Sequence, residues 1–233
     1  MVPTKLVFVD GLPGSGKSMT AEYVAHELEQ RGISCRLLRE RELEHPLNVG
    51  GDLHPSGSTN GVRMFATYTA GAFVAESVGR WNAFVGEATA SGRVTILDSY
   101  PFQNSVRVLW QMDADPVTLA AYQSQVEATA LALRPVFIYL DPGDAESAIH
   151  AIAEQRGSAW TDYAISVVTQ CPYASARELH GMEGAVAMLR SYKRLLDESV
   201  ARVPFPTLVL SACHRGWHDC HARIREFLGL RSD

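Results

Sequence analysis

Short, continuously apolar runs alternate along the chain with segments whose apolar positions recur at helical spacing. Lys5 to Val9 (KLVFV) is a β-branched run of the kind a strand buried on both faces requires. After a glycine-rich break, Ala21, Val24, Ala25 and Leu28 mark one side of a helix that Gln30-Arg31-Gly32 stops. Ser34 to Leu38 predicts a second strand, and strand, helix, strand in so little space is a right-handed parallel crossover. Further strands are predicted over Val94 to Leu97, Pro135 to Leu140 and Thr207 to Leu210. Helices are predicted from about Val62 to Ala90, through Ala148, Ile149 and Ile152, and from about Asp219, as N-cap, to Leu228. Gly71, Gly79 and Gly86 are expected to break the first of these into pieces. The fold class is α/β, with a five-stranded parallel sheet flanked by helices in three layers, and ligands of such sheets sit beyond the carboxyl ends of the strands.

Composition narrows the picture. At 233 residues, 46% hydrophobic and 20% charged, the chain reads as a single globular domain over 1–233. Residues 39–49 are dense in charge, and Gly50 to Gly61 is a Gly/Ser/Pro/Asn stretch that predicts a long flexible loop, the kind that serves as a substrate lid. A formal net charge of −5 argues against nucleic acid as a partner. No apolar run approaches a membrane span and no leader precedes the first strand, so a soluble, cytoplasmic protein without a membrane partner is expected. The four cysteines are too sparse for a disulfide scaffold and are read as reduced.

The chemistry concentrates where the first strand ends. From Gly11 the chain reads Gly-Leu-Pro-Gly-Ser-Gly-Lys-Ser, between a strand and a helix, which is the context a P-loop needs. Gly11, Gly14 and Gly16 permit backbone conformations that turn successive N–H groups inward on a phosphate chain, with Pro13, Ser15 and Met19 in the same stretch. Lys17 is placed to reach the β and γ phosphates of ATP, and the Ser18 hydroxyl to complete the shell of Mg²⁺. Asp98, at the end of the third strand, is the candidate second anchor for that metal.

These pieces resemble the P-loop kinases of the nucleoside and nucleotide kinase group, in layout most similar to thymidylate kinase and the deoxyribonucleoside kinases. The resemblance rests on Phe8 through Ser18, Leu38-Arg39-Glu40, Asp98-Ser99-Tyr100, Arg134 to Leu140 and Ile149 to Gly157, in that order along nearly the whole chain. Glu40 to Pro46 is also similar to a poorly characterised set of P-loop proteins. The resemblance implies a lid and helical region over about 142–185, with Arg156 as a lid arginine over the γ-phosphate. It also implies a carboxylate that takes the acceptor's proton, Glu40 or Asp10. Ser99 stands where relatives carry an arginine that clamps a nucleoside monophosphate, and Gln103 to Arg107 is expected to shape a different acceptor pocket.

The activity expected is transfer of a phosphoryl group from ATP to a hydroxyl of a small molecule, nucleoside-like or a natural product. A nucleotide-driven regulatory switch without a small acceptor is the rival reading. A homodimer and the preference for ATP over GTP stay open. Cys213 to His221 gathers two Cys and three His, but six residues separate the cysteines, which is unlike the paired knuckles of structural zinc sites. Trp217, inside that cluster, is expected to serve packing.

Overall fold

The computed structural model describes residues 4–42, 44–51, 61–211, 213 and 216–230. Five parallel strands, β1 (Leu6–Gly11), β2 (Cys35–Leu38), β3 (Val94–Asp98), β4 (Val136–Asp141) and β5 (Thr207–Ser211), form one sheet in the order β2-β3-β1-β4-β5. All five expected strands are present. The apolar runs are continuous because both faces are covered: along β1, Leu6 and Phe8 enter one core while Val7 and Val9 enter the other.

One face is covered by α1 (Lys17–Glu29) and α10 (Trp217–Phe227), whose Ala21, Val24, Leu28, Cys220 and Ile224 meet Val7, Val9, Ile96 and Ile138. The other face packs against α3 (Ala70–Ser91), α5 (Pro116–Ala130) and α9 (Gly181–Val200). Its centre is aromatic: Phe8 meets Trp81 edge-on at 6.1 Å and Phe137 at 6.3 Å. These are the three layers expected.

Three expectations change. The helix predicted from Val62 divides into α2 (Gly61–Thr67) and α3, and the division falls at Thr69, whose side chain accepts from the Ala72 amide at 3.2 Å. Gly71, Gly79 and Gly86 lie inside unbroken α3, on a side with nothing near enough to meet an added Cβ. Phe73, Trp81, Phe84 and Val85, buried along the opposite side, outweigh the glycines' cost of about 1 kcal/mol each. The closing helix begins at Trp217, so Asp219 lies in its first turn and is not the N-cap. The thiols are not all reduced: Cys213 and Cys220 form a disulfide, with Cα atoms 5.9 Å apart, while Cys35 and Cys171 are free. The pairing occupies both sulfurs of the Cys213–His221 cluster, and the Gly216 amide before α10 donates to the Cys213 carbonyl at 3.0 Å.

The helix expected through Ala148, Ile149 and Ile152 is α6 (Ala145–Arg156). Other helices carry no clear signal in the sequence: a π-helical turn (Phe102–Val106) runs into α4 (Arg107–Gln111), and α7 (Ser158–Thr169) and α8 (Pro172–Ser175) lie between α6 and α9. No helix among the described residues is long and apolar enough to cross a membrane. Most of the loop expected over 50–61, from 52 to 60, lies outside the described residues.

Candidate functional site

The sheet order turns about β1: the chain leaves β1 toward β2 and β3, then crosses to β4 and β5. A crevice forms beyond the carboxyl ends of strands at such a reversal. The glycine loop joins β1 to α1 there. Gly14, at φ 78°, and Gly16, at φ 93° as the N-cap of α1, hold conformations that side-chain-bearing residues rarely adopt. Space forbids a Cβ as well. One built on Gly14 would stand 2.3 Å from Ile152 of α6, and one on Gly16 would stand 2.4 Å from the Trp217 ring. Trp217 does serve packing, and what it packs is this loop.

Lys17 opens α1 and is 6% exposed. Its Nζ donates to the Leu12 carbonyl at 2.9 Å, so the loop curls around its own ammonium group. Burial lowers the Lys17 pKa, and the charges of Glu40, Asp10 and Asp98 act in the opposite direction. The Ser18 hydroxyl donates to Asp98 Oδ2 at 2.7 Å, across the gap between α1 and β3. Ser99 donates to the other oxygen, Oδ1, at 2.9 Å, and lies 3.4 Å from Glu40 Oε2. Gln103 Nε2 donates to Glu40 Oε1 at 2.8 Å. Two carboxylates are thus held side by side by neutral donors. Burial raises the Asp98 pKa, against the Ser18 hydrogen bond and the Lys17 charge.

Asp10 lies one residue beyond the Val9 that pairs with Asp98 across β1 and β3, yet its surroundings differ. Oδ1 accepts from the Gly11 amide at 2.7 Å, and Oδ2 from the amides of Phe102 and Gln103 at 2.7 and 3.1 Å. The side chain is fully buried and ties the end of β1 to the start of the π-helical turn. Burial pushes its pKa up to about 6, against the Lys17 charge and the three amides.

A cavity of about 840 Å³ begins at Pro13, Gly14, Gly16, Lys17, Ser18 and Met19 and passes Glu40, Asp98, Gln103 and Arg107. Trp110, Val168, Met188, Leu189 and Tyr192 line the same cavity and make up its largely apolar part, the chamber. Its outer wall is α7, an apolar helix with no buried residue, so Trp160, Ile165 and Val168 stand half-exposed toward the open space. Arg156, at the end of α6, lies on the rim with its guanidinium 5.1 Å from the centre of the Trp160 ring.

Of the residues singled out in the sequence, Lys17, Ser18, Glu40, Asp98 and Arg156 share this cavity. Gly11, Ser15 and Asp10 lie behind its wall: a Cβ on Gly11 would be 2.3 Å from the Leu140 carbonyl. Residues that sequence reasoning did not assign also line it, above all Trp110, Met188 and Tyr192. The apolar spacing Ala185, Met188, Tyr192, Leu196 in α9 carried a signal for a buried helix side, though not for a chamber wall. The bridging hydroxyl of Ser99 had none, since its φ of 68° comes from the turn after β3.

No family model matches the chain, and no curated protein matches it. Among solved structures it is similar to the YorR protein of Bacillus subtilis, which was crystallised in complex with phosphorylated GDP. The two share 14% sequence identity and superpose with a TM-score of 0.51, over 97% of this chain and 96% of that one. The likeness is one of fold: this chain is built on the same α/β framework as a protein that holds a guanine nucleotide.

Proposed function

We propose that this protein is a small-molecule kinase that transfers the γ-phosphoryl group of a nucleoside triphosphate, ATP in the simplest case, to a hydroxyl of a small acceptor. The observation that carries the reading is the continuity of one cavity. The same space is lined by the Lys17 ammonium, the Ser18–Asp98 pair, the Glu40 carboxylate and the apolar side chains Trp110, Met188 and Leu189. That YorR holds phosphorylated GDP supports a nucleotide as one ligand of this framework.

The donor set suits the groups assigned to it. The loop around Lys17 and the first amides of α1 offer N–H groups and a positive helix end to phosphate oxygens. The Ser18 hydroxyl and Asp98 carboxylate are hard oxygen ligands that would hold Mg²⁺, and the ion would supply positive charge to offset that of the phosphate groups. Lys17 exchanges the Leu12 carbonyl for the β and γ phosphates. Glu40, aligned by Gln103 and Ser99, takes the acceptor's hydroxyl proton as the phosphoryl group arrives. Asp10 leaves that role to Glu40, since its oxygens are taken by backbone amides and it does not line the cavity. Arg156 and Trp160 close from α6 and α7 over the transferring group. A nucleotide switch, the rival reading, leaves the apolar lining of Trp110, Met188 and Leu189 without an occupant.

Lys17→Ala tests the reading: with labelled ATP and a metabolite pool, wild-type protein moves label onto a small product and the variant loses at least about 10³-fold of that rate. Phosphate release without a labelled product, or transfer undiminished in the variant, refutes it. Glu40→Gln is expected to lower transfer about 100-fold with nucleotide affinity unchanged, and unchanged turnover removes Glu40 as the base.

A further inference from the structure

Ser99 leaves the site without the arginine that the family pattern places beside the third-strand aspartate, and the molecule supplies a cation from elsewhere. Arg107 opens α4, two turns beyond Ser99, and lines the same cavity as Lys17, Glu40 and Asp98. Its Nε donates to the Gln103 carbonyl at 2.9 Å, which fixes the plane of the guanidinium. Its terminal nitrogens have no hydrogen-bond or carboxylate partner among the described residues. A half-buried guanidinium kept unpaired costs free energy, and a planar fork of donors matches a phosphate oxygen pair.

A second, independent feature lies on the same wall. Tyr192 of α9 is 2% exposed and lines the cavity, and its hydroxyl has no hydrogen-bond partner. A buried hydroxyl without a partner calls for one, and this one belongs to a side chain that lines the cavity, where a ligand can supply it. Burial keeps it protonated, since its pKa lies well above the usual phenol value, so it is a donor. Arg107, Tyr192 and Lys17 line one cavity, and the Arg107 charge reaches both the Tyr192 hydroxyl and the Lys17 ammonium.

We propose that Arg107 and Tyr192 form an oxyanion site for a phosphate dianion on the acceptor side of the cavity. The inference rests on the phosphotransfer reading and adds to it the group that replaces the missing arginine. The dianion has two possible sources, the phosphoryl group in transfer or a phosphomonoester that the acceptor already carries.

Titration of wild-type, Arg107→Gln and Tyr192→Phe proteins with two probes separates them. The first probe is aluminium fluoride in the presence of MgADP, which mimics the transferring group. The second is inorganic phosphate in the presence of a non-hydrolysable ATP analogue with Mg²⁺. The expected result is MgADP affinity within twofold of wild type in both variants. Affinity for one probe should fall at least tenfold in Arg107→Gln and three- to tenfold in Tyr192→Phe. Loss of aluminium fluoride identifies the transferring group, and loss of phosphate identifies a phosphorylated acceptor. Arg107→Lys, which keeps the charge but not the fork, should recover part of the loss. Wild-type protein that binds MgADP but neither probe, or an Arg107→Gln variant that binds both as wild type does, overturns the proposal and leaves the kinase reading standing. Wild-type protein that binds no MgADP overturns both.

Discussion

Asp10 and Asp98 end neighbouring strands of one sheet, both buried, and their surroundings give them different work. Asp10 faces backbone amides from Gly11, Phe102 and Gln103, is fully buried and does not line the cavity. Asp98 faces the hydroxyls of Ser18 and Ser99 and lines the cavity. Amide donors are fixed by the fold, whereas a serine hydroxyl rotates and can exchange its partner for a metal or a phosphate oxygen. The contrast teaches that a carboxylate at a strand end is structural or chemical according to the donors it meets.

The sharpest way to break this comparison is Asp98→Asn. It should lower phosphoryl transfer by about 10³-fold while the folded state persists, measured by turnover alongside thermal unfolding. A variant that unfolds but transfers normally when folded would reverse the two roles. Next in size is Asp10→Asn, whose amide group sets donors against donors in a fully buried place. The expected loss is about 1–3 kcal/mol of stability in denaturant unfolding.

The same variant carries a signature in pH. The Asp10 carboxyl holds its proton up to about pH 6 in the folded state and releases it near 3.8 when unfolded. Between those values the folded state binds more protons, so the contribution of Asp10 to stability is complete below pH 3.8 and is lost as pH rises through 6. The stability gap between wild type and Asp10→Asn is therefore expected to narrow from pH 4 to pH 6, and a gap that widens contradicts the assigned burial. Smallest is Ser99→Ala, which removes the hydroxyl between Asp98 and Glu40. A three- to tenfold fall in turnover is expected, about 1 kcal/mol, with nucleotide affinity unchanged.

A second contrast separates the glycine loop from the chamber. The loop is gripped by Ile152 and Trp217, with its lysine buried and bonded to its own backbone. The chamber is walled by α7, which buries no residue of its own. Phosphate chemistry is common to many acceptors and tolerates a rigid cradle. An acceptor must enter and leave, and a loosely held apolar wall suits that.

Local physics explains what the sequence determined alone. Five apolar runs of strand length, each ended by a turn, dictate a parallel sheet, and the spacing Gly11, Gly14, Gly16, Lys17, Ser18 dictates a loop of inward amides at its first turn. Backbone conformation over a few consecutive residues decides both, so both are legible. The tertiary structure alone decided which carboxylate faces the cavity, that Ser99 and Gln103 meet Glu40, and that Arg107 and Tyr192 line the same space. Those outcomes depend on contacts between residues far apart in the chain, such as Glu40 with Gln103 or Asp10 with Phe102, whose pairing no local pattern encodes.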